Sequence, residues 1–153
     1  MAASSAQRWA PHVTVATIVV RDGRLLLVEE RIDGRDVLNQ PAGHLEPGES
    51  LLQAAVRETL EETGWDVTPT GLVGVYQWKA PDGTDFLRFT FTADALAHHP
   101  GRPLDAGIMR ALWLSPSELE QRRADLRSPL VWQGVADHLA GHRLPLSALK
   151  EIA

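Results

Sequence analysis

A chain of 153 residues, 44% of them hydrophobic, can build one domain around a substantial core and is too short for a second full one. A formal net charge of −5 argues against a binder of nucleic-acid polymers, so a small anionic substrate would need local positive charge or a metal. The absence of cysteine excludes disulfides, thiolate metal sites and thiol nucleophiles, and it fits a reducing cytoplasm.

Residues 1–10 read as a flexible leader of small polar residues, and residues 11–153 as one domain. The apolar run over 13–20 is too short to cross a bilayer, so 12–20 is expected to be a buried strand and no membrane association is expected. Asp22-Gly23 is a hairpin turn into a second strand over 25–30, and 31–36, with Asp33-Gly34, is a further turn or short loop. Pro41 holds Gln40 extended.

Pro47-Gly48 marks a turn, Ser50 an N-cap, and Gly64 the stop of a helix ending near Thr63. Beyond it, residues 65–67 lead to a turn at 68–71, a strand over 72–79, a turn at 80–83 and a returning strand over 86–93. Residues 94–107 read as an exposed loop and 108–114 as a strand. Helices starting after Ser115 and Ser128, each with proline at the first helical position, run to about 123 and 140. Strands, helix, strands and helices in that order predict a mixed α/β (α+β) sandwich rather than a doubly wound fold. No surplus apolar helix demands a partner, which makes a monomer the simplest reading.

Stepping about 100° per residue along the first helix puts Leu52, Val56, Thr59, Leu60 and Thr63 on one mainly apolar face. Glu58, Glu61 and Glu62 line the opposite face, with Arg57 beside them. Charge clusters are usually solvated surface, but three carboxylates at this spacing repel one another. A hard divalent cation would remove the repulsion, because Mg²⁺ takes carboxylate, water and phosphate oxygens. Spacing alone leaves both readings open.

The pattern Gly43, Glu49, Arg57-Glu58, Glu61-Glu62 and Gly64 resembles the signature of the Nudix hydrolases at every charged and glycine position. Thr59 and Trp65 hold slots that are usually aliphatic. The resemblance implies an α/β/α sandwich with a central mixed sheet, and Mg²⁺, with Mn²⁺ as a substitute, as cofactor. It implies Glu61 and Glu62 as principal ligands and Glu58 as a third ligand or the group that orients or deprotonates water. The carbonyl of Ala42 is a further implied ligand, and Arg57 with Glu49 holds the carboxylates in position. The implied reaction is hydrolysis of a phosphoanhydride by metal-activated water. Asp105, before the late strand, is a candidate additional acid or a turn residue.

Residues 11–16, 39–46, 77–78, 80–82, 86–89 and 126–131 resemble the NudJ-type phosphatases within that family. That likeness implies small-molecule substrates: nucleoside tri- and diphosphates, with thiamine pyrophosphate and its hydroxymethylpyrimidine diphosphate precursor. Alternatives are a hydrolase of a nucleoside diphosphate-linked metabolite such as ADP-ribose, and a catalytically silent nucleotide-binding domain. Four residues are candidate substrate contacts, each with a plainer reading beside it. Trp78 stacks on a heterocycle or packs in the core; Arg88 contacts phosphate or sits at a strand edge. His44 donates to phosphate or caps, and Gln40, with Asn39, reads a base edge or satisfies loop backbone. Arg127 touches substrate or forms a surface ion pair, and His98-His99 resembles a metal pair only superficially.

Overall fold

A computed structural model describes residues 7–152, so positions 1–6 of the expected leader lie outside the described residues. Residues 7–10 carry no regular structure, yet the Trp9 indole N–H donates to Asp85 Oδ2 at 2.8 Å and ties this segment to the domain.

The long apolar strand β1 (His12–Arg21) organises the sheet. It pairs in parallel with β6 (Asp85–His98), from His12 opposite Phe86 to Val19 opposite Ala93, and takes the short antiparallel β4 (Ala42–His44) on its other edge. β5 (Trp65–Lys79) lies antiparallel on the far side of β6. Asp22 and Gly23, at φ of 51° and 72°, turn β1 into β2 (Arg24–Ile32), which pairs antiparallel with β3 (Arg35–Asn39) and β7 (Ile108–Leu114). Two left-handed residues match the twist of a hairpin, and Asp-Gly supplies them with little strain.

Helices cover both faces. Under α1 (Leu51–Thr63), Val15, Ala54, Ala55, Leu72 and Phe91 form one core cluster. Under α3 (Pro129–Leu139), Ile18, Leu27, Leu38, Val131 and Val135 form another. The short α2 (Pro116–Gln121) adds Leu119 to the second cluster. The result is the expected α/β/α sandwich with a mixed sheet. No helix among the described residues is long and apolar enough to cross a membrane.

Four sequence expectations are corrected. The turn at 31–36 is only the pair Asp33-Gly34, and the strands run on through Ile32 and from Arg35. Residues 68–71 are not a turn but a bulged part of the continuous β5. The register shifts between Pro69 and Gly71, opposite Ala93 and Thr92, and a bulge tolerates proline's missing N–H donor. That continuation pairs 65–68 with 94–98, so the exposed loop begins only after His98. Finally, the buried stripe of α1 is Ala54, Ala55, Thr59, Glu62 and Thr63, with Val56 and Leu60 half-buried. Glu62 therefore lies on the packed side, because β4 covers the helix beside the sheet.

Candidate active site

The helix that carries the carboxylates is closed at both ends by local chemistry. Ser50 Oγ accepts from the Gln53 amide while Gln53 Oε1 accepts from the Ser50 amide, and Gly64, at φ 75°, sends its N–H to Leu60 O. Thr59 Oγ1 donates to Ala55 O and meets Thr17 Oγ1 of β1, both at 2.8 Å, so a hydroxyl in a usually aliphatic slot is fully satisfied. Trp65 stacks on His98, meets Trp113 edge-on and lies under Arg21. His98 is thereby engaged, and His99 bonds Asp66, so the two histidines do not converge.

Arg57 ties this surface together. Its Nε and Nη2 fork onto Glu49 at 2.9 and 2.6 Å, Nη2 also reaches His44 O, and Nη1 donates to Glu58 Oε1 at 2.7 Å and to Glu61 Oε2 at 3.2 Å. Charge-assisted forks of this kind fix geometry as well as energy. Glu49 and Glu58 hydrogen bonds raise the Arg57 pKa, and Arg57 in turn draws Glu49 down. Gly43 in β4 makes room for the arrangement: a Cβ there would lie 2.1 Å from Glu58 Cδ.

Glu62 is 7% exposed and accepts the Ala42 N–H at 2.8 Å. Burial pushes its carboxyl up to about 8, and burial also raises Glu58. Oxygens of Glu58, Glu62 and Asp105 lie within 4.8 Å of one another. Asp105 is held there by its own backbone, its N–H donating to Glu61 O and its carbonyl accepting from Ile108. Glu61 points instead to Arg57 and stands outside the trio. A cluster of hard oxygen donors whose burial makes ionisation costly fits a divalent cation, whose charge would offset that cost.

Glu58 and Glu62 of the trio border a cavity of about 610 Å³. Glu58, Glu62, Ala42, Gly43 and His44 line one side; Trp78, Phe86, Arg88 and Asn39 line another. Trp78 is half-buried and stacked on Phe86 at 5.7 Å between centroids, with the cavity beside it. His44 shares a hydrogen bond with His12, and burial, then His12 and Arg127, push its imidazole below the usual range. Arg88 is not at a strand edge: it is 5% exposed in β6, between β1 and β5. Gln40 does not reach the cavity; at 2% exposure it bridges Arg88 and Val131 O.

Among the lining residues that sequence reasoning did not single out is a buried acid. Glu30, on β2, is buried in the cavity wall and receives Arg127 Nη1 at 2.8 Å. Its signal was a charged pair, Glu29-Glu30, ending an otherwise apolar strand.

A sequence profile of the NUDIX domain matches residues 10–133. The phosphatase NudJ of Escherichia coli (strain K12) is 45% identical over 139 residues, covering 91% of this chain and 90% of that protein. A solved NUDIX hydrolase from Nitrosomonas europaea is 48% identical, with a TM-score of 0.91 over 94% of this chain and 98% of its own. A second Nitrosomonas europaea structure, at 24% identity and a TM-score of 0.72 over 91% and 77% of the two chains, shares the fold.

Proposed function

This chain belongs to the Nudix hydrolase family, and on that footing we propose that it is a Mg²⁺-dependent phosphatase of the NudJ type. Its substrates are nucleoside tri- and diphosphates, with thiamine pyrophosphate and its hydroxymethylpyrimidine diphosphate precursor beside them. The observation that carries this reading is the juxtaposition of a three-carboxylate cluster and a buried arginine across one cavity that also holds an aromatic stack.

Glu58, Glu62 and the Ala42 carbonyl are assigned to the cation together with Glu61, which must turn from its bond to Arg57 to join them, with Mn²⁺ as a substitute for Mg²⁺. When bound, such an ion supplies a Lewis acid that neutralises phosphate charge and acidifies water near neutral pH. Arg57, forked onto Glu49, keeps the carboxylates in register. Arg57 also holds Glu58 through Oε1, and Glu58 is either the third ligand or the group that would take a proton from the water that attacks phosphorus as the bond to the bridging oxygen breaks. Trp78 and Phe86 offer a flat platform for a heterocycle, His44 borders the phosphates, and Gln40 acts behind Arg88. We read the protein as a cytoplasmic monomer, in keeping with its cysteine-free composition.

Phosphate release from GTP and from thiamine pyrophosphate, with and without Mg²⁺, tests the proposal; metal-dependent release from either supports it. Faster turnover of ADP-ribose would move the assignment to nucleoside diphosphate-linked metabolites. No turnover of any diphosphate in a broad panel would leave a silent nucleotide binder.

A further inference from the structure

Arg88 is a buried cation whose protein partners are all neutral. Its Nη2 donates to Gln40 Oε1 and, at 3.3 Å, to Asn39 Oδ1, while Nε is buried without any acceptor. Nη1 donates to no described residue, and no carboxylate among the described residues forms an ion pair with Arg88. The two acids that favour its charge from a distance are otherwise engaged: Glu62 accepts from Ala42 N–H, and Glu30 is paired with Arg127. Burial lowers the guanidinium only to about 10, so it remains a cation at neutral pH. A cation buried without a counter-ion is left with its desolvation penalty largely uncompensated.

The amides around it are oriented to keep that charge available. Gln40 Nε2 donates to Val131 O at 2.9 Å, which leaves Oε1 to face Arg88. Along this face of β6 the side chains step inward from Phe86 at the cavity, through Arg88, to Thr90, which is fully buried. A Cβ at Gly134 of α3 would sit 3.6 Å from Thr90 and 3.3 Å from Gln40 Nε2, so the helix closes the cavity just beyond Arg88.

We infer that Arg88 anchors a metal-independent phosphate subsite at the closed end of the cavity, with Asn39 and Gln40 as positioning residues that hold the guanidinium without neutralising it. The inference rests on the proposed hydrolysis only for the identity of the anion as a phosphate group. The same subsite receives a phosphate of the substrate and orthophosphate released from it, since both present the same oxygens.

The test is calorimetric titration of orthophosphate into the full chain in excess EDTA, where cation chemistry plays no part. Wild type binds, and Arg88→Gln weakens binding by about 10-fold or more, the worth of a charge-assisted hydrogen bond. Asn39→Asp, nearly isosteric, sets a carboxylate against Nη2 and weakens binding by a similar factor while its melting temperature stays at or above that of wild type. Gln40→Met weakens phosphate binding severalfold, and with Mg²⁺ it raises KM more than it lowers kcat. A nucleoside diphosphate in EDTA displaces orthophosphate; independent binding of the two overturns the placement in the substrate cavity. No binding by wild type, or equal affinity in wild type, Arg88→Gln and Asn39→Asp, overturns the subsite whatever turns over with Mg²⁺. Loss in both variants sustains it even if the turnover panel identifies another diphosphate.

Discussion

The side of the cavity that carries Glu58 and Glu62 comes from one continuous stretch, residues 42–62, whereas the opposite side is collected from β1, β2, β3, β5, β6 and the first turn of α3. The first is specified by helix periodicity, two caps and one arginine, all close in sequence. The second exists only once β6 has paired with β1 across more than 70 positions of chain, bringing Arg88 opposite Thr14. Local specification suits geometry that must be held tightly, while assembly from several strands lets recognition vary without touching the carboxylates. The two sides should therefore fail differently: damage to the acidic side lowers kcat, and damage to the receptor side raises KM.

The largest effect is expected from Glu62→Gln, which keeps shape and removes charge. Turnover should fall by about 10²-fold or more, beyond what loss of a supporting ligand contact costs, with the fold intact by circular dichroism. Near-normal kcat would remove Glu62 from the cation site. Gly43→Ala comes next. Its methyl meets Glu58 head-on, and a displacement near 1 Å costs roughly 10–100-fold in kcat/KM. Asp105→Asn separates an added acid from a turn residue: the side-chain cluster predicts a loss of about 10-fold, while an unchanged rate returns Asp105 to a structural role.

On the receptor side, Trp78→Ala should raise KM for nucleotide substrates by roughly 5- to 10-fold, the range of one aromatic stack, with kcat nearly unchanged. A kcat loss as large as that of Gly43→Ala would erase the contrast between the two sides. The smallest effect is on stability without metal. Glu62, at about 8 in the fold against 4.5 ordinarily, retains a proton that the unfolded chain releases. Its contribution is full below about pH 4.5 and is lost as pH rises through about 8, with Glu58 acting in the same direction. The melting temperature in EDTA should fall across that window in wild type and stay flatter in Glu62→Gln.

The same contrast explains what the sequence disclosed. The helix 51–63, its caps, the strand 108–114 and both later N-caps were readable because each depends on neighbours within a few residues. Burial of Glu62 was not, because it requires β4 to fold over the helix, and a three-residue strand has no periodicity to detect. The bulge at Pro69 and Gly71 looked like a turn for a related reason: the same residues serve both, and only the partner strand decides. Arg88 was visible as a cation in an apolar strand, but its amide cradle joins β3, β6 and α3, which no local pattern connects. Asp105 reached the carboxylates through a backbone bond to Glu61, which leaves no mark on side-chain spacing.

The β5–β6 hairpin that carries Trp78 and Phe86 closes on bonds of its own. Ala80 N–H donates to Thr84 O, Gly83 N–H to Ala80 O, and Asp82 caps the Thr84 amide, while Ala80 and Asp82 also face the cavity. None of these bonds reaches the acidic helix. Residues 80–84 are accordingly a graft point: loops of other lengths inserted there would reshape the mouth of the pocket for bulkier bases while the hydrolytic cassette is inherited whole.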